Sequence, residues 1–265
     1  TLMLVFDLSG SMSRYFSDSK GYGCDLPRGV SDNGRAKATE TPIVGVTAYN
    51  RQWCKGSDGK KYYDRITKLK DGVIALLYGD SSNKITRLSD DKVIGLATFQ
   101  GTDGYIRIPA RPLGYKVTET QTQRDILIEE VRGLSADGST PTFKAFTEVA
   151  SYMMGTNTQE RAQRNNTVQY FKYTNSGTKY RTCTAWNTNG TCNTFSSETS
   201  TNPVPVAASF SEVICSYTIS NKTYSGTCYQ SNWYIKTATS NSGYPKSSDE
   251  TKVIEEFRYR SPDSL

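Results

Sequence analysis

The first residues able to do chemistry together are Asp7, Ser9 and Ser11, in the opening stretch LMLVFDLSGSMSRYF. An apolar run from Leu2 to Phe6 stops at Asp7, and hydroxyls follow at alternate positions, with Gly10 between them to permit a tight turn. One carboxylate and two hydroxyls on such a loop can aim three oxygens at one point. That is a hard, oxygen-only donor set, suited to Mg²⁺, Mn²⁺ or Ca²⁺ and poorly suited to zinc or copper. A polar loop after a strand is the plainer reading of the same residues. A second hydroxyl-bearing stretch, ADGSTPTFKAF, opens a later helix and contains Asp137 and Thr140.

The elements that must position these residues follow from periodicity. Leu2 to Phe6 is too uniformly apolar for one face to be in water and predicts a buried strand. Asp7 then stands at its carboxyl end, where ligands collect in open α/β sheets. YYDRITKLKDGVIALLYG places Ile66, Leu69, Val73, Leu76 and Leu77 at helical steps, with Gly79 as a stop. DKVIGLATFQ predicts a second buried strand from Val93 to Phe99, and GYIRIPARPL a more exposed third, ended by Pro109. TQRDILIEEVRGL is a helix with Ile126, Leu127 and Val131 on one side and Gly133 near its end. TPTFKAFTEVASYMMG is another, opened by Thr140 and Pro141. Strand, helix, strand, strand, helix, helix predicts an α/β domain with a mostly parallel sheet over residues 1–155.

Composition narrows the function. Of the 265 residues 35% are hydrophobic, and no run approaches the roughly 18 apolar residues of a membrane-spanning helix, so no direct membrane insertion is expected. No basic-then-apolar segment precedes Thr1, so any export signal is expected to have been removed or to lie outside the chain. The 32 Lys and Arg against 26 Asp and Glu give a formal +6, but they are scattered, which argues against a nucleic-acid groove. There is no His, which removes imidazole base catalysis, Ser-His-Asp chemistry and most zinc sites together. The expectation is a binding protein and not an enzyme.

Six Cys stand at positions 24, 54, 183, 192, 215 and 228, with no Cys-x-x-Cys pair. Fifteen pairings are open to six Cys; proximity suggests Cys24 with Cys54, Cys183 with Cys192, and Cys215 with Cys228. Disulfides would place the chain in an oxidising compartment. Residues 13–61 show little periodicity and read as an excursion clipped by Cys24 and Cys54. Residues 156–250, rich in Thr, Asn, Ser and Tyr, read as an inserted, disulfide-stapled β-rich module, with alternation in SEVICSYTIS and GTCYQSNWYIKTAT. Trp186, between Cys183 and Cys192, is its candidate ligand-contact aromatic. SDETKVIEEFRYRSPDSL carries a charged, helix-like pattern, so residues 251–265 read as a return to the first domain, whose later strands are expected beyond Leu265.

Asp7-x-Ser9-x-Ser11 after a strand, with GSTPT on a second loop, resembles the von Willebrand factor A domain. That family's metal-ion-dependent adhesion site uses Asp-x-Ser-x-Ser, a Thr from a second loop and an Asp from a third. The resemblance gives Asp7, Ser9 and Ser11 the first-loop roles and Thr140 the second, with Asp137 as a candidate support behind the ligands. No apolar run ending near Asp-Gly occurs between Gly155 and Leu265, so no residue takes the third role. The fold implied is a Rossmann-like α/β domain carrying the β-rich insertion. The insertion, GSTPT and YRSPDSL are similar to the PilC/PilY proteins at the tips of bacterial type IV pili. This implies an extracellular adhesin domain on the bacterial cell surface, binding a host-cell or surface ligand, protein or glycan, through a divalent cation, Mg²⁺ first. Minor pilins would be met through a region outside this chain, and no nucleic acid is implied. Two alternatives make the insertion the working part: a lectin-like module, or a stapled domain that senses mechanical load.

Overall fold

The computed structural model describes residues 1–15, 23–156, 158, 168–172, 183–186, 192–195, 197, 210–236, 250–259 and 261–262. Two compact units divide the chain. One is Thr1–Met153, Cys215–Gly226 and Ser261–Leu265; the other is Met154–Ile214 and Thr227–Arg260. In chain order the elements begin with β1 (Leu2–Asp7), a 3-10 turn (Gly10–Met12), β2 (Asp32–Glu40), β3 (Tyr49–Gly56), β4 (Lys61–Tyr63) and α1 (Arg65–Tyr78). They continue with β5 (Val93–Gln100), β6 (Asp103–Pro112), α2 (Gln123–Gly133), α3 (Thr142–Met154), β7 (Val168–Lys172), β8 (Cys183–Trp186) and β9 (Cys192–Phe195). The last three are β10 (Phe210–Ile219), β11 (Lys222–Lys236) and β12 (Glu250–Tyr259).

β5 is the centre of the first sheet, in the order β1-β5-β6. β1 pairs with it in parallel, Leu2 opposite Ile94 through Asp7 opposite Phe99, and β6 pairs with it antiparallel. This overturns the mostly parallel, Rossmann-like von Willebrand factor A sheet expected above: among the described residues, parallel pairing is limited to β1–β5, within a mixed α/β chain of small sheets. The reason is a two-residue link. Only Gly101 and Thr102 separate β5 from β6, whereas a parallel crossover needs about a dozen residues or more. Among the described residues β1 is an edge strand, with Leu2 and Val5 exposed and Phe6 buried, so the two-sided burial expected of it belongs to β5, where Ile94 through Phe99 are all buried. β6 continues through Pro109 to Pro112, which an edge strand tolerates because Pro costs it no inward hydrogen bond.

Among the described residues, α1, α2 and α3 stand where periodicity places them, with one rotation. α1 buries Ile66, Thr67, Lys70, Ile74, Ala75 and Leu77 and leaves Leu76 exposed, so its core face is turned from the expected stripe of Ile66, Leu69, Val73, Leu76 and Leu77 and brings Lys70 inward. Asp64 caps α1: one carboxylate oxygen accepts from Thr67 N at 3.0 Å and the other from Arg14 N at 3.0 Å. Burial pushes its carboxyl above the usual range, against these hydrogen bonds. α2 opens with a Thr122/Asp125 capping box and buries Ile126, Leu127 and Val131 completely. Its Gln123 amide donates to Ile94 O at 3.0 Å and Pro109 O at 2.9 Å, fixing the helix to the sheet. α3 begins at Thr142, and a Cβ at Gly104 would run into the backbone of Ala145, so only glycine lets β6 pass this close to α3.

Residues 13–61 hold more order than their sequence shows. β2, β3 and β4 form an antiparallel ribbon in chain order, Arg35 opposite Cys54 and Trp53 opposite Tyr63. The Cys24–Cys54 disulfide, with Cα atoms 6.3 Å apart, ties the preceding loop to β3. Charges hold the far end: Arg51 bonds Glu40 at 2.6 Å and Asp71 of α1 at 2.5 Å, and its guanidinium lies 3.9 Å from the Tyr63 ring centre. Lys61 lies 4.1 Å over Trp53.

β10 and β11 match the alternation in SEVICSYTIS and GTCYQSNWYIKTAT, joined by Ser220 and Asn221 at φ 47° and 65°, the backbone a tight hairpin turn demands. The hairpin tip belongs to the first unit, whose core includes Ile219 and Tyr224; the Tyr224 hydroxyl donates to Gln121 Oε1 at 3.0 Å. In the second unit β12 pairs antiparallel with both β11 and β7. The helix-like reading of residues 251–259 is therefore corrected to a strand. Val253, Phe257 and Tyr259 recur at even spacing, and pairing on both edges outweighs the helical preference of Glu255 and Glu256. β8 and β9 form a separate antiparallel pair.

Candidate functional site

The end of β1 and the loop before α3 meet through backbone hydrogen bonds. Leu8 N donates to Phe99 O at 3.0 Å, continuing the ladder past Asp7. Gly10 N then donates to Gly138 O at 2.9 Å, and Asp137 N returns a bond to Leu8 O at 2.7 Å. The segment around Asp137 and Gly138 is thereby clamped onto the turn carrying the two serines. Gly138 sits at φ 81°, and a Cβ there would meet Gly101 N at 3.0 Å, so both conformation and space require glycine.

Within the first loop, Asp7 Oδ1 accepts from Ser9 N at 2.7 Å, which folds the carboxylate back over the turn. The Ser9 and Ser11 hydroxyls lie 3.0 Å apart. Ser9 is 1% exposed, while Asp7 and Ser11 are half-buried. The other carboxylate oxygen of Asp7 accepts no hydrogen bond among the described residues. Arg65 supports the turn from below: Nη1 donates to Ser11 O at 3.1 Å, while Nε and Nη2 hold Asp25 at 3.1 and 3.0 Å. Burial of Asp25 opposes its ionisation, but Arg65 and Lys68 outweigh this and keep its carboxyl below the usual range.

Asp7, Ser9 and Ser11 are thus brought together. Thr140 and Asp137 lie on the clamped loop, both exposed, with Thr140 O accepting from Thr142 N at 2.9 Å as α3 begins. Asp137 meets the first loop through its backbone N–H. The side chains of Trp186, Cys183, Cys192, Cys215 and Cys228 lie outside the described residues; in the backbone register Trp186 pairs with Cys192 and Cys183 with Phe195. Among the described residues no three His, Cys, Asp or Glu side chains converge, so the donor set is one carboxylate plus hydroxyls. Arg65 escaped sequence reasoning because its link to Ser11 is a long-range contact. Lys70 was missed as well, although a signal was there: it stands four residues from both Ile66 and Ile74, on what is the buried face of α1.

The set fits a hard divalent cation. Two neighbouring oxygens around an octahedral Mg²⁺ at about 2.1 Å stand about 3.0 Å apart, the separation of the serine hydroxyls, 3.0 Å. One negative charge binds such an ion weakly, so a carboxylate from a partner would strengthen the complex. No family model, curated protein or solved structure matches this chain.

Proposed function

We propose that this chain is the surface-binding domain of an extracellular adhesin, holding its ligand through a divalent cation on Asp7, Ser9, Ser11 and Thr140. The observation that carries the reading is the pair of hydrogen bonds, Gly10 to Gly138 and Asp137 to Leu8, that clamps the second hydroxyl-bearing loop onto the first. It rests on these two loops and not on the sheet, which departs from the one the resemblance implied. The Cys24–Cys54 disulfide supports an oxidising compartment. Placement at a type IV pilus tip rests on the likeness of GSTPT and YRSPDSL to the PilC/PilY proteins.

The cation, when bound, supplies an open coordination position for a ligand oxygen. Asp7 brings the charge, Ser9 and Ser11 bring neutral oxygens on one edge, and Arg65 keeps the turn that presents them. The function is attachment without bond chemistry. Calorimetric titration of Mg²⁺ and Mn²⁺ into the oxidised chain tests it. Saturable binding that disappears in Asp7→Ala and weakens in Ser9→Ala supports the site; equal binding by Asp7→Ala removes it.

A further inference from the structure

A second polar site lies away from the Asp7 loop, in a cleft of about 350 Å³ within the first unit. Tyr49, Asn50 and Gln52 of β3, Lys70 of α1, and Glu129 and Arg132 of α2 line it. Lys70 is only 4% exposed, yet its ammonium meets carbonyl groups alone, Leu134 O at 3.0 Å and Asn50 O at 3.3 Å. Arg132 donates through Nη2 to Ala48 O at 3.1 Å, and its Nε is buried with no acceptor. Neither cation has a carboxylate within ion-pair reach among the described residues. The acids nearby are engaged elsewhere: Asp71 holds Arg51 and the Tyr49 hydroxyl, and Asp64 caps α1.

A buried ammonium facing carbonyls, beside a half-buried guanidinium whose Nε is buried without an acceptor, is a costly arrangement that an anion relieves. Burial pushes the Lys70 amine down to about 8, against the pull of Asp64 and Asp71 and with the push of Arg132; the Tyr49 ring centre lies 5.6 Å away. Glu129 gives the same cleft an acceptor pole. One of its oxygens takes a bond from Gln121 at 3.1 Å. A bare anion would satisfy the cations and be repelled by Glu129. A carboxylate with a hydroxyl or ammonium beside it satisfies both poles, and the amides of Asn50 and Gln52 suit further polar groups.

We propose that this cleft binds a small carboxylate bearing hydroxyl or amino groups, the carboxylate between Lys70 and Arg132 and the donor on Glu129. The shared chemistry has two sources, an acidic sugar or a free amino acid. Calorimetry on the whole oxidised chain in EDTA, which silences the Asp7 site and keeps the two readings separable, should compare D-glucuronate, L-serine, D-glucose and inorganic phosphate.

Saturable binding of glucuronate marks the sugar source and of serine the amino acid, and either supports the proposal. Lys70→Met and Arg132→Gln should each weaken that binding about tenfold or more, the size of a lost charge-assisted hydrogen bond. Thermal melts confirm that the variants fold, and the half-buried Arg132 position provides the test should Lys70→Met fail to fold. Affinity should also fall as pH rises past about 8. Saturation by neither carboxylate, binding indifferent to both substitutions, or preference for glucose or phosphate overturns the proposal.

Discussion

Leu96, in the middle of β5, is fully buried in the apolar core, whereas Arg51, near the start of β3, holds the carboxylates of Glu40 and Asp71. Both strands belong to one unit. The β5 sheet is held by apolar burial and by polar side chains that reach into it: the Gln123 amide donates to two carbonyls, and the Tyr152 hydroxyl oxygen accepts from Ala110 N at 2.8 Å. The ribbon is held by Arg51, Lys61 and Tyr63 converging on Glu40, by rings stacked under cations, and by a disulfide. The difference teaches that the sheet is held mainly by apolar burial, while the ribbon, which buries Tyr49, Trp53 and Cys54 of β3, adds charge and covalent closure to a smaller apolar contact.

The widest separation comes from Leu96→Ala, which should destabilise the whole first unit by about 2–5 kcal/mol in a denaturant titration. Replacing Cys24 and Cys54 with Ser should cost about 2–4 kcal/mol and quicken hydrogen exchange first in the ribbon; equal acceleration in β5 would break the distinction. Lys70 joins the two regions, reaching Asn50 O of the ribbon and Leu134 O beyond α2. Its amine titrates near 8 in the folded chain, below its ordinary value of 10.5. Between those values the unfolded chain holds the proton more tightly, so stability should rise from about pH 8 to 10.5, by about 1–3 kcal/mol. Lys70→Met should flatten that rise relative to the parent chain, as read from denaturation midpoints. Arg51→Met should cost least, about 1–2 kcal/mol, because Glu40 and Asp71 each retain another partner. Its cost should shrink in high salt, while that of Leu96→Ala stays.

The same contrast explains what the sequence reveals. Ile126, Leu127 and Val131 announce α2, and the unbroken apolar run of β5 announces a buried strand, because burial leaves a periodic trace. The ribbon left only a faint one: exposed Arg35, Lys37 and Thr39 alternate with half-buried Ala36, Ala38 and Glu40, a face too small and too polar to announce a buried strand, and the ion pairs that hold it come from elsewhere in the chain. The parallel sheet was inferred from the order of strands and helices, yet the short link GTDG carried the contrary information. Likewise, the Asp7, Ser9 and Ser11 loop is readable from spacing, but its clamp to Gly138 is a long-range backbone contact with no side-chain signature.

Ile219 and Tyr224 close the core of a unit most of whose chain ends at Met153. Synthesis from the N-terminus therefore cannot finish that unit when its first 153 residues have emerged. The nascent chain must wait, with β5 and α2 incompletely covered, until Gly226 has followed. The order of events during synthesis is thus written into the topology: the second unit's first segment must be made before the first unit can seal.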